Sequence, residues 1–177
     1  MYKLYSFFLY RTSFFLLILF PIQTNDTKEI TIKEEYNTSI TYIITTIKET
    51  EGIEYIPYTC PAGYLTIGAG HMILPTDKLK IPLSDKDIDS IIIKDLYDRY
   101  KGIRYNISIK RKLILSWLYY IYGNNILGTQ LEYNIIHKLP IKHILKDYSH
   151  YISNKQLIYS DYLYNILIKI NILYEKT

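Results

Sequence analysis

Residues 51–71 read EGIEYIPYTCPAGYLTIGAGH, and no other stretch of the chain constrains its fold so tightly. Gly63, Gly68 and Gly70 interrupt short runs of β-forming residues. Glycine takes positive φ without steric cost, so the chain is expected to turn back on itself here in tight hairpins. Such turns would gather a carboxylic acid, a thiol, a hydroxyl and an imidazole: Glu51, Cys60, Thr66 and His71. Polar groups placed this way point to chemistry carried on loops rather than to core packing.

Upstream, Ile40, Ile43, Ile44 and Ile47 follow the i, i+3, i+4, i+7 spacing of one helix face. Thr38 or Ser39 is the expected cap, and Gly52 the expected residue just past the C-terminus. Glu51 then falls one turn beyond Ile47, on the apolar face and at the negative end of the helix dipole. Desolvation and the dipole both disfavour a charged carboxylate, an environment that suits a general acid.

Taken together, Glu51-Gly52, Tyr58, Cys60-Pro61-Ala62-Gly63 and Thr66-Ile67-Gly68-x-Gly70-His71 resemble the phage-type lysozymes (endolysins) of glycoside hydrolase family 24. That family carries a Glu, eight residues, an Asp or Cys, five residues, then a Thr. Glu51, Cys60 and Thr66 keep that spacing. The resemblance is strong from Ile47 to His71 and becomes a helix-by-helix likeness thereafter.

The resemblance implies Glu51 as the catalytic acid, Cys60 at the second catalytic position and Thr66 as the hydroxyl that orients the attacking water. His71, Gly68 and Gly70 would support the hairpin. The implied reaction is hydrolysis of the β-1,4 bond between N-acetylmuramic acid and N-acetylglucosamine in peptidoglycan, with a bacteriolytic outcome. No cofactor and no metal are implied, since protonation and water attack need only side chains. A family that accepts either Asp or Cys at the second position suits a neutral, water-positioning Cys60, and hence an inverting glycosidase.

Two motifs depart from the family. A central helix that usually reads like S-F-A-F-N-V-G is here Trp117-Leu118-Tyr119-Tyr120-Ile121-Tyr122-Gly123, with Ile121 in place of the Asn. The usual G-L-x-x-R-R-x-x-E becomes Gln156 to Tyr164, and Ser160 replaces the arginine that would lie near the acid.

At 177 residues the chain can bury a core without disulfides, and its single cysteine allows no internal one. A net charge of +4 without a long basic block gives nucleic-acid binding little support. The 21 tyrosines are read as an A/T-biased genome rather than a base-stacking surface. Lys3 and Arg11 precede an apolar run from Ser13 to Ile22, too short for a confident membrane span. Residues 1–23 are therefore read as a signal peptide, or alternatively a signal anchor, residues 24–37 as a polar linker, and residues 38–177 as a lysozyme-like catalytic domain. The protein is expected to be a secreted monomer, membrane-bound only if that segment stays uncleaved.

The expected fold is α+β: a small β-sheet lobe over Tyr55–Leu83, a larger helical lobe, and an active-site cleft between them. Ser84 with Asp87 reads as a capped helix start, with Ile88, Ile91, Ile92 and Leu96 as its buried stripe. Leu113–Tyr122 is apolar nearly all round and should be the central buried helix. Thr129 with Glu132 opens a helix expected to end near Pro140, and Leu163, Ile166, Leu167 and Ile170 mark a last one.

Four rival readings stand beside the lysozyme. Cys60 with His71 could form a thiol-protease dyad, but TCPAG lacks the known protease signatures. His137, His143 and His150 are spaced by six and seven residues, which does not place them on one helical face as metal ligands. A degenerate, catalytically inactive lysozyme fold that only binds glycan is the serious competitor, and a chitin-type glycan hydrolase the second enzymatic one.

Overall fold

The structure, a computed structural model, describes residues 26–60, 63–153 and 156–176. The segment 1–23 lies outside the described residues. Helix α1 (Asp26–Glu51) opens the described chain, and Gly52 follows it with φ of 76°, as anticipated. Ile43 and Ile47 are fully buried on its inner face.

Residues 26–37 are not a linker: they form the first turns of α1, and Thr38 and Ser39 lie inside the helix instead of capping it. The cause is partly local, since Lys33, Glu34 and Glu35 are good helix formers. It is also tertiary. Glu35 pairs with Lys110 at 3.0 Å, and Tyr36 packs against the core. Over residues 31–37 polarity marks the solvated side of a helix.

Three strands follow: β1 (Glu54–Thr59), β2 (Leu65–Gly68) and β3 (His71–Met72), antiparallel in that order. Tyr58 lies opposite Thr66, and Ile67 opposite His71. The register is irregular between Glu54 and Tyr58, where Pro57 has no N–H to offer the ladder. The β2–β3 turn needs left-handed backbone at Gly68 and Gly70, whose φ values are 67° and 88°.

Helix α2 (Asp85–Gly102) connects this sheet to the helical lobe, and its start forms as the sequence indicates. Ser84 Oγ accepts from Asp87 N at 3.2 Å, and the Asp87 carboxylate accepts from Ser84 N at 2.9 Å. Ile88, Ile91, Ile92 and Leu96 are its buried residues.

Helix α3 (Ile109–Tyr122) is the centre of the core, with Leu113 to Leu118 buried without a break. Ser116 tolerates this because its hydroxyl donates to Lys112 O at 2.8 Å. Fully burying an aliphatic side chain contributes about 1.5–3 kcal/mol, so this run is a large share of what fixes the helical lobe.

Helix α4 (Gln130–Ile136) starts at Thr129, whose Oγ1 accepts from Glu132 N at 3.2 Å. It ends at Ile136, short of Pro140, because Lys138 takes φ of 56° and Leu139 N bonds back to Asn134 O at 2.8 Å. A 3-10 segment, Lys142–Tyr148, leads into an unanticipated hairpin of β4 (His150–Ser153) and β5 (Gln156–Tyr159). Helix α5 (Asp161–Tyr174) closes the fold, capped by Ser160, with Ile166, Leu167 and Ile170 buried. The architecture is the expected α+β one, a small sheet lobe joined by α2 to a larger helical lobe.

Candidate active site

Glu51 is the last residue of α1 and is exposed. The burial expected from its place after Ile47 is absent, because α1 ends where the cleft between the lobes opens. Glu51 instead lines that cleft, which encloses about 400 Å³. Its Oε1 accepts a short hydrogen bond from the Tyr162 hydroxyl, on the first turn of α5. Burial, followed by this bond, pushes the Tyr162 phenol far above its ordinary value, so the hydroxyl remains a donor.

Cys60 lies just past β1. Its N–H donates to Tyr64 O at 2.9 Å, and its carbonyl accepts from Gly63 N at 2.8 Å, which closes the turn between β1 and β2. The side chain is half-buried and in no disulfide. Tyr58 is its electrostatic neighbour. Burial raises the Tyr58 phenol first, and then Cys60, Glu54 and Glu51 add to the rise.

Thr66 is buried in β2, opposite Tyr58, and its hydroxyl donates to Tyr64 O at 3.0 Å. That bond uses the hydroxyl proton and leaves the oxygen able to accept. Among the described residues, neither Thr66 nor Cys60 lines the cleft, whereas Gly70 and His71 do. Gly68 is buried, and an added Cβ there would meet Leu83 at 3.9 Å.

His71 is buried between two carboxylates. Its Nδ1 lies 2.8 Å from Asp95 Oδ2 on α2, and its Nε2 3.1 Å from Asp77 Oδ2. The Asp95 bond holds the imidazole above its ordinary value despite the opposing effect of burial. Asp77 also accepts from Leu74 N at 2.7 Å and from Lys94 Nζ at 3.0 Å. The Leu74 bond, then Lys94 and His71, bring its carboxyl down to about 2. His71 therefore ties β3 both to α2 and to the turn that follows β3.

The opposite wall is Tyr120 and Ile121 of α3. The Tyr120 hydroxyl donates a short bond to Ala69 O, which seats the β2–β3 turn on the helical lobe. The Arg99 guanidinium stacks over the Tyr120 ring at 5.1 Å. Burial drives the Tyr120 phenol far up, the charges of Asp95 and Glu51 add to this, and Arg99 partly offsets it.

Sequence reasoning missed Tyr162, Tyr120 and Arg99. The first two fall inside the motifs noted as departing from the family, so the altered letters themselves were the available signal. Arg99 had none, since a charged residue on an amphipathic helix reads as solvated. His137 stacks on Tyr133 with centroids 4.1 Å apart, and His150 meets Tyr159 edge-on at 5.3 Å, so both have packing roles.

The phage lysozyme family model matches residues 48–119. Three solved structures share the fold. The muramidase domain of SpmX from Asticaccaulis excentricus has a TM-score of 0.62 and 14% identity, over 77% of this chain and 94% of that one. The endolysin of Escherichia coli O157:H7 phage FAHEc1 has a TM-score of 0.61 and 15% identity, over 75% and 90%. The active form of the P1 phage endolysin Lyz has a TM-score of 0.54 and 16% identity, over 82% and 93%. A comparison with curated protein sequences found no match. The chain is therefore similar to the phage lysozyme family over residues 48–119, and its fold is similar to that of a muramidase domain and of phage endolysins.

Proposed function

We propose that the protein is a lysozyme that hydrolyses the β-1,4 bond between N-acetylmuramic acid and N-acetylglucosamine in peptidoglycan. The observation that carries this reading is Glu51, presented at the mouth of a cleft and held there by Tyr162, within the segment matched to phage lysozymes. Tyr162 occupies Oε1, which leaves Oε2 to carry a proton to the glycosidic oxygen as the C1–O bond breaks. Water adds to C1 from the opposite face, positioned by Cys60 and Thr66. Its proton leaves to solvent, from which Glu51 recovers one, so the net reaction is hydrolysis with inversion.

Clearing of a peptidoglycan suspension by the purified protein, run beside chitin oligomers, tests the reading. Clearing that is lost in Glu51→Gln supports it, and cleavage of chitin alone would move the assignment to a chitin-type hydrolase. A glycan-binding protein without activity is the second reading. It is favoured by one observation, that Cys60 and Thr66 stand outside the cleft lining among the described residues. Co-sedimentation with peptidoglycan without clearing would be its result. Export through the apolar N-terminal segment belongs to the same proposal, and intact-mass measurement on material from a secreting host tests it.

A further inference from the structure

We propose that Arg99 is a specificity-determining residue that binds a carboxylate of the substrate and so favours peptidoglycan over neutral glycans. The proposal rests on the lysozyme reading and adds to it the charge of the ligand. Arg99 lines the same cleft as Glu51 and lies over the ring of Tyr120, which lines it too. Its guanidinium is held twice: Nη1 donates to Asp95 O at 2.7 Å, and the guanidinium carbon lies over the Tyr120 ring, 5.1 Å from its centroid. A guanidinium held this way loses little freedom on binding and presents its remaining N–H groups as a fork suited to a carboxylate.

The other charges facing the cleft already have partners. His71 lies between Asp95 and Asp77, and Asp98 pairs with Lys101 at 2.8 Å. Glu51 is held by the neutral Tyr162. Among the described residues that line the cleft, Arg99 is the one cation without a carboxylate partner. It is half-buried, so its charge is only partly relieved by water, and an anion arriving in the cleft would complete it. Chitin-type chains carry no charge. The strands of peptidoglycan carry carboxylates on the peptide joined through the lactyl group, or on the lactyl group itself where no peptide is attached, close to the bond that Glu51 would protonate.

The test is a two-by-two comparison. Wild-type and Arg99→Gln proteins act on soluble peptidoglycan fragments with free carboxylates, and on the same fragments after conversion of those carboxylates to neutral amides. Amidation should cost the wild type at least about tenfold in kcat/KM, the scale of one charge-assisted hydrogen bond. Arg99→Gln should be slow on both substrates and indifferent to amidation, with the loss lying in KM. Arg99→Lys should keep part of the preference. An equal loss in Arg99→Gln on both substrates, or a wild type indifferent to amidation, overturns the proposal while the lysozyme reading stands. If the wild type cleaves neither substrate, the lysozyme reading fails and calorimetric titration with the same two fragments decides the present one. Preferential binding to the free-carboxylate form, lost in Arg99→Gln, then supports it, and equal binding overturns it.

Discussion

Tyr162, on the first turn of the last helix, donates its hydroxyl proton to the carboxylate of Glu51, which ends the first described helix 111 positions earlier. In the family that this chain resembles, an arginine near this place would meet the acid with a positive charge. Here the position is Ser160, spent on capping α5 through Leu163 N at 3.2 Å. A neutral phenol two residues later supplies a donor instead.

Replacing Tyr162 by Phe removes that donor and leaves the ring. Hydrogen bonds to charged groups contribute about 1.5–3 kcal/mol, so kcat is expected to fall roughly ten- to a hundredfold. KM should change little, because the hydroxyl touches the acid rather than the sugar. Steady-state kinetics with a melting curve decide it. A drop in KM affinity with kcat preserved would assign Tyr162 to substrate binding.

Glu51→Gln keeps the shape of the side chain and removes the transferable proton. General acid catalysis contributes about 10²–10⁴-fold, and the loss in clearing rate is expected in that range. Because Glu51 is exposed, the fold should be undisturbed, with a circular dichroism spectrum and melting temperature near those of the wild type. A variant that is folded and fully active would refute the mechanism.

The His71 cluster gives a pH signature in stability. Asp95 holds His71 above its unfolded value, so that contribution is complete below about pH 6.5 and fades as pH rises through the folded value. Asp77 is depressed from 3.8 to about 2, so its contribution is complete above the unfolded value and is lost as pH falls through about 2. Melting temperature should therefore form a plateau between about pH 4 and 6.5, set by the two unfolded values. Asp95→Asn should flatten the alkaline side specifically. An alkaline slope identical in Asp95→Asn and wild type would show that His71 does not carry it.

Local signals were legible and distant ones were not. The start of α2 is written in Ser84 and Asp87, and its buried face in a four-residue stripe, because caps and periodicity are properties of a few adjacent residues. Gly52, Gly68 and Gly70 announced left-handed backbone for the same reason. The helix over residues 26–37 was hidden, since its anchors, Lys110 and the core around Tyr36, come from elsewhere in the chain. Tyr162 and Tyr120 were hidden more deeply. A tyrosine in an apolar helix reads as packing, and only the fold brings its hydroxyl to a partner, Glu51 in one case and Ala69 in the other. The spacing from Glu51 to Thr66 pointed to a site, and the hydroxyls that surround it came from the two motifs that had seemed eroded.

Cys60 and Thr66 carry the last prediction, which concerns the stereochemistry of cleavage. A retaining route would need a nucleophile about 5–5.5 Å from the acid, whereas inversion leaves about 6.5–9.5 Å for a water. Thr66 spends its proton on Tyr64 O at 3.0 Å and keeps an acceptor for that water. Cys60 lies in the turn that Gly63 closes and is not among the described residues that line the cleft, which speaks against direct attack on the sugar. Inversion at a β-link should release the α-anomer first. Cys60→Asp should keep substantial activity, because either residue type occurs at this position in the family resembled. Cys60→Ala or Thr66→Val should lose most of it, about tenfold or more if each variant removes one water-holding hydrogen bond to a polarised group. Proton NMR of the first product and mass spectrometry of the quenched protein check this together: a β-anomer, or a glycosyl adduct on Cys60, would establish the covalent route instead.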